Sequence, residues 1–347
     1  MLPETMNGVV LTGHGGPEVL QWRDDLETPQ AGPSQVVVRV RAAGVNNTDV
    51  NTRLAWYSKG SADEEDASWS GKPMEFPRIQ GADVCGEIVA VGEGVNPARI
   101  GERVLIEPSM ASWEGQPLDP RWYFGSECHG GFAQYTRVDD RYAVAINCDL
   151  SDAELASFPC SYSTAENLLT RSGVTHGDRV LVTGASGGVG SAAVQLAKAR
   201  GAHVTAVTSE AKRDLLMQLG ADRTVLRDAS LREELGTGSV DVVIDLVGGD
   251  AWPILLEVLT IGGRYATSGA IAGHEVTLDM RMLYLKDLSF FGCTALDEGV
   301  FAALVKRIET GAIKPLVAQT FPLSEINAAQ EAFQRKSHVG KIVLTVD

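Results

Sequence analysis

The residues best placed to do chemistry are four glycines, Gly184, Gly187, Gly188 and Gly190, set between the apolar run Val180 to Val182 and a segment, Ser191 to Arg200, with helical periodicity. The pattern reads as strand, tight glycine turn, helix. Such a turn brings backbone close to a diphosphate, whose charge is met by free N–H groups at the helix start. A glycine string alone has a purely steric explanation. Here a second strand, His203 to Val207, ends about twenty residues further on, the context a dinucleotide fingerprint requires.

The end of that second strand bears on which dinucleotide binds. An acidic residue there would bond a ribose diol and repel a 2′-phosphate, but the chain reads Val207-Thr-Ser-Glu-Ala-Lys-Arg213. Ser209 can donate to a phosphate and Lys212 or Arg213 can supply charge, which favours NADPH over NADH. Glu210 runs against that preference, although a carboxylate at a helix start explains it equally well.

A metal site is harder to assemble. Cys85, Cys128, Cys148, Cys160 and Cys293 are scattered and form no Cys-x-x-Cys pair, which speaks against a disulfide framework and a structural zinc site. Glu127-Cys128-His129 offers three ligand types, but adjacent side chains rarely point at one ion. A loop before a strand is the plainer reading.

With 347 residues the chain has room for two domains, and 44% apolar content with 37 glycines suits a globular α/β protein. The formal charge of -15 argues against a nucleic-acid or anionic-membrane surface. No apolar run reaches the length of a membrane span, and Met1-Leu-Pro-Glu-Thr5 lacks the regions of a signal peptide. A cytoplasmic location is therefore expected.

The elements that must position these groups fall into two kinds. The start is β-rich, with Gln35 to Arg41, a glycine-flanked strand within Pro77 to Gly92, Gly101 to Ile106 and Gly130 to Val138, in the manner of a closed or partly closed barrel. Between them, Ala42 to Val50 leaves a strand for a short helix. Leu54 to Pro73, with the acidic Asp63 to Asp66, reads as a mobile surface loop, and residues 107 to 129 read as irregular. From 179 to about 293 strands alternate with helices, at Val180 to Val182, Val204 to Val207, Thr224 to Leu226, Val240 to Asp245, Gly263 to Ser268 and Leu288 to Phe291. Six such strands make a doubly wound parallel sheet. Glu298 to Thr310 is an amphipathic helix and Lys341 to Val346 a last strand, assigned back to the first domain.

This order resembles the medium-chain dehydrogenase/reductase superfamily over nearly the whole chain. The matching motifs are Ala43-Gly44-Val45-Asn46-x-x-Asp49, Gly81-Ala-Asp83-x-x-Gly86, Gly101-Glu-Arg-Val104, Gly130-Gly-Phe-Ala-Gln-Tyr135, Gly184 to Gly190, Leu219-Gly-Ala-Asp222 and Gly340-Lys-Ile-Val343. The resemblance implies a GroES-like β-barrel catalytic domain, residues 1–155 completed by 295–347, and a Rossmann domain, residues 156–294. By motif matching, the zinc branch's first cysteine and its histidine are Asn46 and Ala82 here, and only Cys160 survives. The chain thus looks like the zinc-independent, quinone oxidoreductase or zeta-crystallin-like group. Without a Lewis acid a simple ketone is a hard hydride acceptor; a quinone or α,β-unsaturated carbonyl is easier, because charge delocalises onto an oxygen that donors can hold.

The same resemblance implies the site residues. The diphosphate would lie on Gly184, Ser186, Gly187, Gly188 and Val189, with Thr164 at the nicotinamide end and Lys341 reaching the phosphates. Gly248, Ser268, Gly269, Gly292, Cys293 and Thr294 follow strand ends, where ligands bind in such sheets. Asn46 would donate to the nicotinamide or substrate oxygen and Asp49 would hold local geometry. Tyr57 or water would supply the proton, and Arg53 is a further candidate contact. The substrate pocket would draw on the Trp56 to Trp69 loop, the Trp113 to Phe124 loop and Met282-Leu-Tyr284. Homodimerisation is implied through the sheet edge near Phe290 to Thr294. Two other readings stay open: an alcohol dehydrogenase with ligands moved to Asp49, Cys128 or Cys160, and a non-catalytic NADPH-binding protein.

Overall fold

The protein is described by a computed structural model over residues 2–58 and 68–347. The acidic Asp63 to Asp66 stretch, and with it the centre of the expected mobile loop, lies outside the described residues. The chain divides into two compact units, residues 1–160 with 315–347, and residues 161–314.

The first unit begins with a ribbon of β1 (Thr5–Leu11) and β2 (Leu20–Glu27), then β3 (Gln35–Gly44) and the short helix α1 (Asn47–Arg53). It continues with β4 (Asp83–Val91), β5 (Arg103–Ile106), β6 (Ser109–Trp113), β7 (Gln116–Tyr123), β8 (Tyr135–Asp139), β9 (Ala143–Ala145) and helix α2 (Asp152–Leu155). Helix α3 (Pro159–Arg171) carries the chain into the second unit. That unit holds β10 (Arg179–Val182), α4 (Gly188–Ala199), β11 (His203–Thr208), α5 (Arg213–Gln218), β12 (Arg223–Leu226), α6 (Leu231–Leu235) and β13 (Val240–Asp245). It closes with α7 (Trp252–Val258), β14 (Leu259–Thr267), α8 (Met280–Leu285), β15 (Ser289–Gly292) and α9 (Val300–Glu309). The return to the first unit adds β16 (Val317–Pro322), α10 (Ile326–Gln334) and β17 (Lys341–Thr345).

Strand β3 is the spine of the first unit. Val36, Val37 and Val38 are fully buried, because β3 pairs with β8 along one part of its length, with β17 along another and with β4 along most of it. A strand covered on both faces is a continuous apolar run rather than an alternating one. The resulting sheet, β16-β17-β3-β4-β5-β9 with β8 also on β3, curls into the expected GroES-like barrel. The expectation of irregular chain over 107 to 129 is corrected, since β6 and β7 form an antiparallel ribbon within it. Its turn residues, Glu114 (φ 52°) and Gly115 (φ 73°), both have positive φ, the requirement of a tight two-residue hairpin. Prolines and tryptophans on the ribbon masked its strand character.

In the second unit all strands of the sheet run parallel in the order β12-β11-β10-β13-β14-β15. The order reverses between β10 and β13, which opens a crevice at the carboxyl ends of those strands. Each of the six expected strands is present. The division differs from the expected 155/156 and 294/295 boundaries. Residues 295–314 stay with the second unit because Asn167 of α3 bonds Ala295 O (2.9 Å) and Asp297 N (3.1 Å), and Phe301, Leu304 and Ile308 of α9 are buried. Among the described residues no helix is long and apolar enough to cross a membrane.

Candidate functional site

In the first unit, three side chains far apart in sequence, Asn46, Asp83 and Lys341, converge in a buried interior. Asn46 lies two residues beyond β3 and caps α1; its N–H donates to the Asp49 carboxylate (2.8 Å). Its side-chain amide donates to Asp83 Oδ2 (2.8 Å) and to Gly44 O (3.3 Å), and its Oδ1 accepts from Lys341 Nζ (2.5 Å). Lys341 also pairs with Asp83 Oδ2 at 2.6 Å, both side chains almost wholly removed from water. The other Asp83 oxygen accepts from Cys160 N (2.5 Å). Gly44 is required beside this cluster, since a Cβ there would stand 2.5 Å from Asp83 Oδ2.

Both amide hydrogens of Asn46 are engaged in this arrangement, on Asp83 and Gly44, and its side chain links Asp83 to Lys341. Lys341 is held by Asp83 and Asn46. Arg53 is buried, with Nη1 on Gly15 O (2.7 Å) and Nε on Gln330 Oε1 (3.1 Å), so it joins elements of the fold. Asp83 was part of a motif only; the sequence offers no sign that it is the hub.

Burial pushes the Asp49 carboxyl up to about 7, against the Asn46 N–H and the Lys341 charge, which hold it down. Burial, then the nearby Asp83 charge, push the Cys160 thiol up to about 12. Tyr123 donates its hydroxyl to Cys160 Sγ (2.9 Å) and Trp69 stacks on it at 5.0 Å. Tyr57 is half-buried, its phenol raised by burial and bonded to the Thr48 and Asn51 side chains, within electrostatic reach of Cys160 and Asp49.

A zinc ion does not suit this donor set. Asn46 is bonded to an ammonium, Ala82 offers a methyl, and Cys160 is a thiol packed with Ala82 and Tyr123; zinc needs deprotonated sulfur and imidazole or carboxylate ligands. Glu127 accepts from Ser70 N and Tyr123 N (both 2.7 Å), and His129 Nδ1 accepts from Ile79 N (3.1 Å), so these groups hold loops together. Cys128 lies in the apolar core of the unit.

The second unit offers a different kind of surface. After β10 the chain turns at Gly184 (φ 55°), and α4 starts at Gly188 with Gly187 as its cap. Ser186, Gly188 and Val189 are half-buried and Gly187 exposed, leaving the helix start open. A Cβ on Gly190 would lie 2.3 Å from Gly184 O, so only glycine lets α4 pack this close to the turn. Behind the turn stands a residue missed in the sequence, Asp245 at the end of β13. It accepts from Thr183 Oγ1 (2.5 Å), Tyr265 Oη (2.5 Å), Val247 N (3.0 Å) and Gly248 N (3.2 Å), which ties the ends of three strands into one frame.

The remaining expected residues lie on the same carboxyl edge. Gly248 (φ 66°) abuts Gly273 O, and Ser268 and Gly269 follow β14. Gly292 and Thr294 are exposed, whereas Cys293 is buried with its N–H on Thr267 O (2.9 Å). Thr164 is the half-buried position between buried Ser163 and Ala165 on α3. Beyond β11, Arg213 bonds Thr224 Oγ1 (3.0 Å) and pairs with Glu210 (3.1 Å). That pairing engages the carboxylate that ran against NADPH. Lys212 is held below its ordinary range by burial and by Arg227, a second cation at this strand end that went unnoticed because it lies beyond β12. The backbone turn, the open helix start and the cationic strand end fit a nicotinamide dinucleotide.

A GroES-like barrel joined to a parallel dinucleotide sheet defines a two-unit oxidoreductase with a nicotinamide cofactor. The chain belongs to the medium-chain dehydrogenase/reductase superfamily, in its quinone-oxidoreductase-like branch. Residues 32–148 match the alcohol dehydrogenase GroES-like domain and residues 188–310 the zinc-binding dehydrogenase model. The acryloyl-coenzyme A reductase of Metallosphaera sedula is 31% identical, covering 98% of this chain and 100% of its own. Human quinone oxidoreductase is 30% identical, over 98% of this chain and 97% of its own. A solved structure of a candidate alcohol dehydrogenase from Sinorhizobium meliloti is 42% identical, with a TM-score of 0.90 over 100% of this chain and 98% of that one.

Proposed function

We propose that the protein is an NADPH-dependent, zinc-independent reductase of conjugated acceptors, a quinone or an α,β-unsaturated carbonyl, the latter including enoyl thioesters. The observation that carries this reading is the Asn46–Lys341–Asp83 cluster: where zinc ligands would stand there is an ammonium already neutralised by a carboxylate. A fixed internal cation organises the wall of the site but cannot bind a carbonyl oxygen as an open metal does. An acceptor that spreads charge by conjugation then needs only hydrogen-bond donors. The M. sedula and human relatives, named for an unsaturated thioester and for quinones, support the same class.

NADPH, when bound, supplies the hydride. Gly187, Gly188 and Val189 would take its diphosphate, and Ser209, Lys212 and Arg227 its 2′-phosphate. Tyr57 is assigned as proton donor, its hydroxyl oriented by Thr48 and Asn51. Strand β15, at the sheet edge, is assigned to pairing with a second copy, which light scattering in solution tests.

The deciding experiment assays NADPH oxidation with a benzoquinone, an enone, an enoyl thioester and a simple aldehyde, beside the metal content of the same preparation. Turnover on conjugated acceptors without zinc is expected. Aldehyde reduction with one zinc per chain would overturn the reading and favour the alcohol dehydrogenase alternative. NADPH binding without turnover on any acceptor would leave the non-catalytic reading.

A further inference from the structure

A second concavity lies in the first unit, apart from the Asn46 cluster. It encloses about 430 Å³ between the β1–β2 ribbon, the β6–β7 ribbon and the Pro77 to Ile79 segment, a size ordinary for a small-molecule site. Trp113 and Trp122 line it with their rings 5.7 Å apart, together with Met6, Val10 and Leu26.

Among these apolar groups stands Arg78, only 8% exposed. Its backbone is fixed by reciprocal bonds with Leu11 (2.9 and 2.7 Å), but its Nε is buried without a partner among the described residues. Among the described residues its one ion pair is a 4.0 Å approach to Glu75, itself 94% exposed. A buried guanidinium N–H without an acceptor is costly and rare. Thr136, on the pocket wall, holds a second buried polar atom, its Oγ1, without a partner among the described residues. The Glu127 carboxylate, also on the wall, is taken by two backbone amides, and Glu27 is exposed. His129 Nδ1 accepts from Ile79 N–H (3.1 Å), so a neutral ring carries its proton on Nε2 as a further donor.

We infer that this pocket is a second ligand site, for a small amphipathic monocarboxylate whose flat apolar body lies against Trp113 and Trp122 and whose carboxylate is taken by Arg78. The Nη end of a planar guanidinium matches a carboxylate with two parallel bonds, and a tryptophan pair takes a flat apolar body. The site is independent of the proposed reductase chemistry.

The test titrates 2-naphthoate into the full chain by calorimetry and tryptophan fluorescence, with uncharged 2-naphthamide as its isostere, each with and without saturating NADPH. One site with quenched tryptophan emission is expected, at least tenfold weaker for the amide, at least tenfold weaker in Arg78→Met and unchanged by NADPH. Trp122→Leu, on the outer ribbon, is the second variant, with lost quenching expected. Absence of binding at millimolar concentration, equal affinity for acid and amide, or displacement by NADPH would overturn the inference. The comparison of acid and amide needs no variant.

Discussion

At the strand ends of the second unit, the groups that face outward are mostly backbone: the open start of α4, the glycine turn before it, and loops fixed from behind by Asp245. In the first unit the corresponding groups are side chains, brought from residues 46, 83 and 341 into one buried cluster, with the Cys160 backbone N–H added to it. Backbone donors at a helix start remain hydrated until a ligand arrives, so they serve a site that opens and fills. Buried charges have no such freedom and must satisfy one another. The first arrangement suits an anion; the second suits a rigid wall.

The largest effect should come from breaking the charged cluster. Lys341→Met leaves Asp83 buried without its counter-ion and is expected to lower unfolding stability by about 3–5 kcal/mol in urea titrations. A loss below about 1 kcal/mol would show that the pair does not hold the wall.

Asp49 sharpens the same contrast through pH. Its folded value of about 7 lies above that of an ordinary carboxyl, so the folded protein retains a proton that the unfolded chain has released. This group's contribution is full below about pH 4 and is lost as pH rises through 7. Relative to Asp49→Asn, the native protein should lose on the order of 1 kcal/mol per pH unit in that window and nothing further above it. A parallel pH dependence in both proteins would refute the assignment.

In the second unit, Gly190→Ala forces a methyl against Gly184 O and must shift α4. About 1–3 kcal/mol of stability and at least a tenfold loss of NADPH affinity by fluorescence titration are expected; retained affinity would mean that the turn tolerates displacement. The smallest effect belongs to the exposed Glu210–Arg213 pair: Glu210→Ala should change the melting free energy by less than about 0.5 kcal/mol. A larger change would give that pair a structural role beyond its surface position.

Much of the second unit was legible in the residues. Val180 to Val182, Val240 to Asp245 and the other apolar runs are strands wherever they pack, since a parallel strand buried on both faces demands uninterrupted apolar side chains. Gly184 and Gly190 announce a turn by what they lack. Local periodicity could not show that Trp113-Glu114-Gly115-Gln116 closes a hairpin between tryptophan- and proline-bearing strands, nor that residues 295–314 pack on α3.

The amino-acid sequence alone determined the two kinds of sheet and the glycine turn before α4, because each is written in neighbouring residues and their short-range sterics. Only the tertiary structure decided that Lys341 meets Asp83 and Asn46, that Arg53 is a tie within the fold, and that Asp245 joins three strand ends. Those outcomes depend on which side chains are excluded from water together, and desolvation is a property of the packed interior that no single stretch of chain possesses.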